Sequence, residues 1–321
     1  MIKMKYIVLN NHFKRFFKEK SYLCLAFLLV FVTLAASAFV VTMDPPKLHI
    51  GIDQSAEALL AMNNDHLSIE EIEKERNYYS HLISGDYDAY ISQEEGKYKI
   101  LTVRNVGLKE KLSQLLNEGQ QSVEAELRAN DNHFKIIISV LTMSSMILSL
   151  ILYRFYFDDR QGIDKRIYSA GLSTFSYLSQ HILFNYLILF TINALACTVL
   201  FPVFDLELSG RFYIYLLLLE LFAAHFSMAL STATKKNQGA LLIGTMLSVL
   251  TTLLSGVLFT VKSGSLQEKW QYLFPQYYIS KLGEDLDGQV VDLRQALLVI
   301  LGCIVVFFCT ALSIQRGRVE E

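Results

Sequence analysis

Long apolar stretches alternate with charged segments along this chain of 321 residues. Crossing a hydrocarbon core of about 30 Å takes roughly 20 apolar residues in an α-helix, and six stretches reach that length. Helices are expected because backbone groups that lack partners in lipid cost several kcal/mol each. The pattern predicts an α-helical integral membrane protein with six transmembrane helices: Tyr22–Met43, Phe134–Tyr153, Tyr177–Leu200, Phe212–Leu230, Ala240–Val261 and Ala296–Ile314.

The segment between the first two predicted spans, residues 44–133, has the pattern of a small external α/β domain. Its stretch KLHIGID alternates apolar and polar residues, which is typical of a half-buried strand. Two later stretches, YDAYIS and KYKILTV, predict further strands around a polar turn. The acidic surface of this segment is explained by solubility or, alternatively, by ligand binding.

Two helices are also predicted within residues 44–133. Ser68 and Glu71 form a capping-box pair, which predicts a helix that begins there and ends near Gly85. The leucines of Leu108–Leu116 predict a second, amphipathic helix. The predicted order is therefore strand, helix, strand, strand, helix.

Lysine and arginine near the ends of the spans predict the orientation of the chain. The N-terminal segment, residues 1–21, carries six basic residues and no acidic residue before Glu19. The loop Arg154–Ser176 carries four basic residues, and the tail, residues 315–321, carries two arginines. Both termini are therefore predicted to be cytoplasmic, with residues 44–133 outside.

The N-terminal segment also predicts an amphipathic helix that precedes the first span. Four apolar residues share one helical face: Leu9, Phe13, Phe16 and Phe17. Four basic residues lie largely opposite: Lys14, Arg15, Lys18 and Lys20. Such a helix lies in the inner membrane interface with its cations at anionic lipid headgroups. The simpler interpretation is that these basic residues only keep the N-terminus on the cytoplasmic side, and both interpretations can hold together.

Composition and charge exclude several classes of function. Hydrophobic residues make up 52% of the chain, and the net charge of −2 gives no basis for binding nucleic acid. The four cysteines lie in apolar stretches without metal-ligand spacing, so neither a disulfide nor a metal site is predicted. The chain has no GxxxxGKS or GxxxxGKT loop, which would hold the phosphates of ATP. No cofactor and no enzymatic activity are therefore predicted for this chain itself.

The order of these parts resembles that of the ABC-2 type transporter permeases. In one branch of that family an elbow helix precedes the first span, and an external α/β domain separates it from five others. LISGDYDAYIS and KYKILTV are similar to segments of that domain. LLSGVLFTVKSGSLQEKWQYLFPQYYISKL is similar to the fifth span and the short external re-entrant helices after it, here residues 262–294.

The stretch FYFDDRQGIDKRIYSAGLSTFSYLSQHIL resembles the family's cytoplasmic coupling segment, here Arg154–Ser176. The positions that match are Asp159, Arg160, Gly162, Lys165, Arg166 and Ser173. Aspartate replaces the more usual glutamate, and Gly171–Leu172 stands where a proline is often found. Independently of the family, Ile163, Ile167 and Tyr168 beside these cations are typical of a segment that docks into a groove on a soluble partner. The alternative is a basic loop that only fixes topology.

The resemblance implies the permease subunit of an ABC exporter in a cell membrane, here a bacterial plasma membrane. It implies a dimer of cytoplasmic ATPase subunits, which bind ATP and Mg²⁺, and a second permease subunit, identical or different. The implied substrate is a peptide, an antibiotic or another amphipathic compound. The alternative is a multi-span receptor or sensor with an external ligand-binding domain, which would need a larger cytoplasmic output domain.

Polar residues inside the spans are further candidates. Glu220 lies near the middle of the predicted fourth span, where a carboxylate costs roughly 2.5–3.5 kcal/mol. His225 and Asn185 are other polar groups of the third and fourth spans. They either face the transport route or the subunit interface, or they form interhelical hydrogen bonds of about 0.6 kcal/mol each. If Glu220 lines the route, Glu220→Gln is expected to impair transport more than assembly.

Overall fold

The computed structural model describes residues 6–42, 48–53, 56, 59–60, 67–72, 78–84, 86–94, 97–102, 112, 133–258 and 265–320. They belong to two compact units. The first comprises Met1–Thr42 and Asn132–Glu321, and the second comprises Met43–Asp131.

The first unit is helical. Its helices are α1 (Ile7–Lys18), α2 (Lys20–Thr42), α4 (His133–Leu152), α5 (Arg154–Asp159), α6 (Ile163–Ser169), α7 (Thr174–Leu200), α8 (Gly210–Ala233), α9 (Asn237–Leu254), α10 (Leu266–Gln271), α11 (Pro275–Leu286) and α12 (Leu293–Glu320), while α3 (Tyr78–Ser84) belongs to the second unit.

Six helical stretches among the described residues are long and apolar enough to cross a membrane, which confirms the predicted number of spans. They are Leu23–Thr42, His133–Asp159, Thr174–Phe204, Gly210–Ala233, Asn237–Leu254 and Leu293–Val319. The fifth is shorter than predicted at its C-terminal end, because Ser255 and Gly256 form a turn after Leu254. Two short helices, α10 and α11, lie within the segment predicted to be re-entrant.

Helix α4 is the most enclosed of the six. In the span that contains it, His133–Asp159, 72% of the most apolar stretch is buried inside the protein, against 17% in the span formed by α12. Its neighbours include α2, α8, α9 and α11. Small buried residues on α4, including Ser144, Ser145 and Ser149, allow these helices to approach closely.

The N-terminus of α4 is fixed by α11 and the turn that follows it. The carboxylate of Asp287 accepts hydrogen bonds from the backbone N–H groups of Phe134 and Lys135, at 2.9 and 3.0 Å. Gly283 packs on the same turn, since a Cβ there would lie 2.5 Å from the Cα of Lys135 and 2.6 Å from the carbonyl oxygen of Phe134. Lys135 also pairs with Glu284 at 3.0 Å. The contact therefore depends on backbone atoms, which cannot move aside as a flexible side chain does.

The amphipathic helix α1 packs on the bundle through its buried residues Val8, His12 and Phe16. Its first turn is capped by a side chain from α7. The N–H groups of Val8 and Leu9 donate to Oε1 of Gln180 at 3.1 and 3.2 Å. Because the first N–H groups of a helix have no partner within it, this contact fixes where α1 begins.

The predicted place of Arg15 among the headgroup-facing cations is wrong. Its guanidinium turns towards the bundle and pairs with Asp158 at 2.7 Å and with Asp159 at 2.8 Å. A buried carboxylate such as Asp159 is costly without a partner, and this requirement overrides the amphipathic pattern. Lys14 and Lys18 are exposed.

The second unit contains one four-stranded sheet among its described residues. The strands are β1 (Leu48–Ile52), β2 (Leu67–Glu71), β3 (Ala89–Glu94) and β4 (Lys97–Leu101), in the order β2-β1-β3-β4. β1 is parallel to β2 and β3, and β3 is antiparallel to β4. β1, β3 and β4 lie at the three stretches predicted as strands. Their apolar positions, such as Ile50, Ile91 and Ile100, form the core of this unit.

The start of the helix predicted from Ser68 and Glu71 is wrong, because both residues lie in β2. The helix found there, α3, begins only at Tyr78 and ends at Ser84, close to the predicted end near Gly85. Ser68 pairs with His49 of β1, and Ile69 is buried beside that strand. The alternation of apolar and polar residues here suits a strand, and tertiary pairing overrides the local capping signal. The second predicted helix, Leu108–Leu116, lies outside the described residues except for Leu112.

Candidate coupling site

The segment between α4 and α7 folds as two short helices, α5 and α6, joined by a tight turn. Gly162 in this turn has φ of 113°, a conformation that strains residues with a Cβ. Nothing lies within 4 Å of the position of such a Cβ, so the backbone conformation and not lack of space accounts for glycine. Ser173 caps α7, since its hydroxyl accepts a hydrogen bond from the N–H of Ser176 at 3.2 Å.

Asp159 is buried, with only 1% of its side chain exposed. Its Oδ1 accepts a hydrogen bond from Arg15 at 2.8 Å, and its Oδ2 lies beside His12 and His181. In this structure Asp159 therefore ties the coupling segment to α1 instead of lying on a docking surface.

Arg160 points away from Asp159, towards the C-terminus of α8. Its guanidinium donates to the carbonyl oxygen of Thr234 at 2.8 Å and to that of Ser231 at 3.4 Å. Arg318 of α12 donates to the same Thr234 oxygen at 3.3 Å. Burial lowers the pKa of Arg160, but a guanidinium remains charged at physiological pH. The two arginines thus bind carbonyls that the helix end leaves free and complement its negative dipole.

The inner face of α6 is hydrogen-bonded to two spans through one buried side chain. Gln315 of α12 donates through Nε2 to the hydroxyl of Tyr168 at 3.1 Å, and its Oε1 accepts from the hydroxyl of Tyr156 at 2.6 Å. Burial raises the pKa of Tyr168 to about 12, although the hydrogen bond from Gln315 opposes the shift. The Tyr168 hydroxyl is therefore neutral at physiological pH.

The outer face of α6 carries the remaining predicted residues. Lys165 and Arg166 are exposed, and Ile163 is 41% exposed. Ile167 and Tyr168 instead pack against buried residues of the bundle. Of the three predicted apolar anchors, only Ile163 is thus available to a partner in this structure.

A cleft of about 450 Å³ lies between α5 and the start of α9. Four basic residues contribute to its wall: Arg154, Arg160, Lys235 and Lys236. Asp158 also lines it but is paired with Arg15. The cleft therefore offers a mainly cationic surface next to the coupling segment.

The family model described as ABC-2 type transporter matches residues 112–282, more than half of the chain. The chain belongs to this family. The match begins in the second unit and ends within α11, so it contains the coupling segment and the second to fifth spans. No curated protein matches the chain.

As an ABC-2 type transporter, this protein is the membrane permease of an ABC transporter, a class that works with an ABC ATPase subunit. The ABC-2 domain is the transmembrane component of such transporters and not their nucleotide-binding domain. The resemblance to the ABC-2 family is thereby confirmed, while membership of the branch with an external domain stays a prediction. Helices α1, α2 and α12 lie outside the matched residues.

In this ABC-2 permease Glu220 is fully buried between three helices. Its Oε1 accepts hydrogen bonds from Asn193 of α7 at 2.7 Å and from Ser145 of α4 at 2.9 Å. Asn193 also donates to the Ser145 hydroxyl at 3.1 Å. This arrangement is the one expected for interhelical hydrogen bonding, and the role of Glu220 in transport stays a prediction.

The structure does not join the other two polar candidates to Glu220. The amide of Asn185 donates to the carbonyl oxygen of Ser149 in α4 at 3.0 Å. His225 is half-buried, and its Nδ1 lies 2.7 Å from the carbonyl oxygen of Leu221 in its own helix. Both therefore have structural contacts, and neither is shown to face a route.

Sequence reasoning missed Gln315, Arg318 and His12. Gln315 and Arg318 lie at the end of the last span, where a basic tail is normally taken as a topology signal. The sequence gives no separate signal for Gln315, because it lies directly before Arg316 at the start of the polar tail. His12 lies on the apolar face of α1, where a histidine is usually a core residue.

Proposed function

We propose that this ABC-2 permease exports a substrate across a bacterial plasma membrane, driven by a dimer of cytoplasmic ATPase subunits that dock on α6. Those subunits bind ATP and Mg²⁺, and a second permease, identical or different, completes the pathway. Both termini and Arg154–Ser176 face the cytoplasm, while residues 44–133 face outside. The basic residues of the predicted inner segments support this orientation. The substrate class, an amphipathic compound such as a peptide or antibiotic, is supported by the family resemblance alone.

The two-sided character of α6 carries this proposal. Its outer face presents Lys165, Arg166 and Ile163 to solvent, a combination of rim charges and an apolar anchor that suits a groove on a partner. Its inner face is held by packing and by the hydrogen bonds of Tyr168. A force on the outer face is therefore passed to the bundle instead of bending a loose loop.

The contacts of the segment define which spans receive that force. Tyr168 is linked through Gln315 to α12 and to the end of the second span at Tyr156. Arg160 is linked to the C-terminus of α8. Closure of the ATPase dimer would thus shift the second, fourth and sixth spans together, as expected for a switch between two packed states.

The test of docking is to purify the chain from its native membranes with and without charge reversal on α6. We expect the wild type to retain an ABC ATPase subunit, identified by mass spectrometry, and to hydrolyse ATP. Lys165→Glu combined with Arg166→Glu is expected to reduce the retained ATPase at least tenfold, the loss given by about 1.4 kcal/mol of binding free energy.

A matched control carries the same change of charge away from α6. Lys14→Glu combined with Arg316→Glu alters two exposed basic residues of the predicted cytoplasmic side. This variant is expected to retain the ATPase as the wild type does. Equal retention by the α6 variant, or equal loss by the control, would contradict docking on α6.

Transmission through Gln315 is tested separately from docking. Gln315→Leu removes the hydrogen bonds to Tyr156 and Tyr168 but keeps a side chain of similar size. We expect the ATPase to remain bound while the hydrolysis rate of the complex changes about two- to thirtyfold, the range for residues that carry coupling. Tyr168→Phe should add little to this effect, because both changes break the same contact. Independent, additive effects would show that the hydrogen bond does not carry the coupling.

A further inference from the structure

Three side chains from separate helices meet in a buried cluster: His12 of α1, Asp159 of α5 and His181 of α7. Their exposed fractions are 0%, 1% and 2%. Nε2 of His12 lies 3.3 Å from Oδ2 of Asp159, and Nε2 of His181 lies 3.7 Å from the same oxygen. One ligand atom from each residue lies within 4.8 Å of the others.

Three of the four imidazole nitrogens of this cluster lack hydrogen-bond partners among the described residues. They are Nδ1 and Nε2 of His12 and Nε2 of His181, none of which forms a hydrogen bond with any described residue. Buried polar atoms are nearly always bonded, so these nitrogens need another partner. Oδ2 does not supply it, because its distances of 3.3 Å from His12 and 3.7 Å from His181 exceed the about 2.7–3.2 Å that is usual for N–H···O hydrogen bonds.

We propose that His12, Asp159 and His181 bind a divalent transition metal ion, with zinc as the preferred class. Two imidazoles and one carboxylate form an established donor set for zinc, which binds nitrogen and oxygen at about 2.0–2.2 Å. Tetrahedral geometry then places the ligand atoms about 3.4 Å apart. The observed 3.3 and 3.7 Å are close to that separation.

The surroundings of the cluster favour a cation over an additional proton. Arg15 pairs with Asp158 and Asp159, and Arg154 pairs with Asp158 and Glu19, so this group of two cations and three anions carries an excess negative charge. A proton on one imidazole would balance that charge but would leave the other imidazole unpaired. A dication uses both imidazoles and the carboxylate at once.

Arg15 and the neighbouring rings provide what a metal site needs beyond its ligands. The guanidinium holds Oδ1 of Asp159 at 2.8 Å and so orients the carboxylate, as outer hydrogen bonds do in metal sites. Aromatic rings surround the histidines, with Phe184 5.3 Å from His12 and Tyr177 4.6 Å from His181 between ring centres. The metal would clamp α1 to the coupling segment and the third span. This inference rests on the cluster and not on the proposed ATPase partner.

The test measures zinc retained by the full chain, purified in detergent with an affinity tag that contains no histidine. The protein is stripped with a chelator, given Zn²⁺ and desalted. We expect one zinc per wild-type chain and a background level for His12→Gln combined with His181→Gln. His225→Gln, which changes a histidine outside the cluster, is expected to retain zinc as the wild type does.

A ligand exchange separates metal binding from a structural role. Starting from the wild type, His12→Cys replaces one zinc ligand by another and should retain zinc, whereas His12→Gln should lose it. With Co²⁺ in place of Zn²⁺, the Cys variant should also gain a sulfur-to-cobalt absorption band. Size-exclusion profiles show whether each variant remains folded. The proposal is overturned if the wild type and the double Gln variant retain equal amounts of zinc, at any level. It is also overturned if a folded Cys variant retains no zinc.

Discussion

Gly283→Ala is expected to destabilise this permease by about 3 kcal/mol, the upper end of the usual cost of overpacking. The substitution adds one methyl group, and on an isolated helix it would be favourable. Here the new Cβ would lie 2.5 Å from the Cα of Lys135 and 2.6 Å from its nitrogen, where carbon atoms normally lie about 3.5–4.0 Å apart.

The clash cannot be relieved by rotating a side chain, because the opposing atoms belong to the backbone of α4. Helix α11 must move away by about 1 Å to restore normal contacts. That movement stretches the hydrogen bonds from Phe134 and Lys135 to Asp287, and also the ion pair of Lys135 with Glu284. The methyl group therefore weakens several contacts at once, at the N-terminus of the most enclosed helix.

The measurement is the unfolding midpoint of the purified chain in detergent, with Gly302→Ala as the matched control. Gly302 lies within α12, and no atom lies within 4 Å of its added Cβ. Alanine is favoured over glycine inside helices by about 1 kcal/mol, so this control should be as stable as the wild type or more stable. A wild-type midpoint for Gly283→Ala would mean that the close approach of α11 and α4 is not present.

The six spans could be predicted from sequence because their length is set by the bilayer and not by tertiary contacts. Ser68 and Glu71 show where that reasoning fails, since a local capping signal gave way to parallel pairing with β1. Nothing in the sequence around Gly283 shows which helix will approach it. Contacts between distant segments are what the one-dimensional pattern lacks.

The coupling segment shows the same limit of sequence-based prediction at the level of single residues. Asp159 and Arg160 are adjacent in sequence, and the family resemblance places them together. Successive residues of a helix point about 100° apart, so Asp159 reaches α1 while Arg160 reaches the end of α8. His12 and His181 join Asp159 only through the fold, which is why no metal-ligand spacing could be read along the chain. The proposed zinc site revises the expectation that this chain binds no metal.

Glu220→Ala is expected to cost about 3 kcal/mol, combining lost hydrogen bonds with a cavity at the meeting point of α4, α7 and α8. Asn193 and Ser145 would each lose the buried acceptor that Oε1 provides. Glu220→Gln retains an oxygen at that place and is of nearly equal size, so its cost should be below about 1 kcal/mol.

The share of the hydrogen bond in that cost is measured by a double-mutant cycle with Asn193→Ala. Interhelical hydrogen bonds in membranes average about 0.6 kcal/mol, with values up to about 1.7 kcal/mol, so the coupling between the two changes should fall in this range. Ser144→Ala is a suitable control partner, because its hydroxyl donates to Leu141 within α4 and not to Glu220. Additive effects of Glu220→Ala and Asn193→Ala would contradict the contact.

Glu220→Gln then separates a structural from a transport role, because it preserves the acceptor while removing the ability to ionise. If Glu220 only joins helices, the Gln variant should match the wild type in both unfolding midpoint and transport. If the carboxylate lines the route in another conformation, transport should fall while the midpoint stays. The structure favours the first result, since Glu220 is fully enclosed by its own subunit. A fall in transport at unchanged stability would require that α4, α7 and α8 separate during the transport cycle.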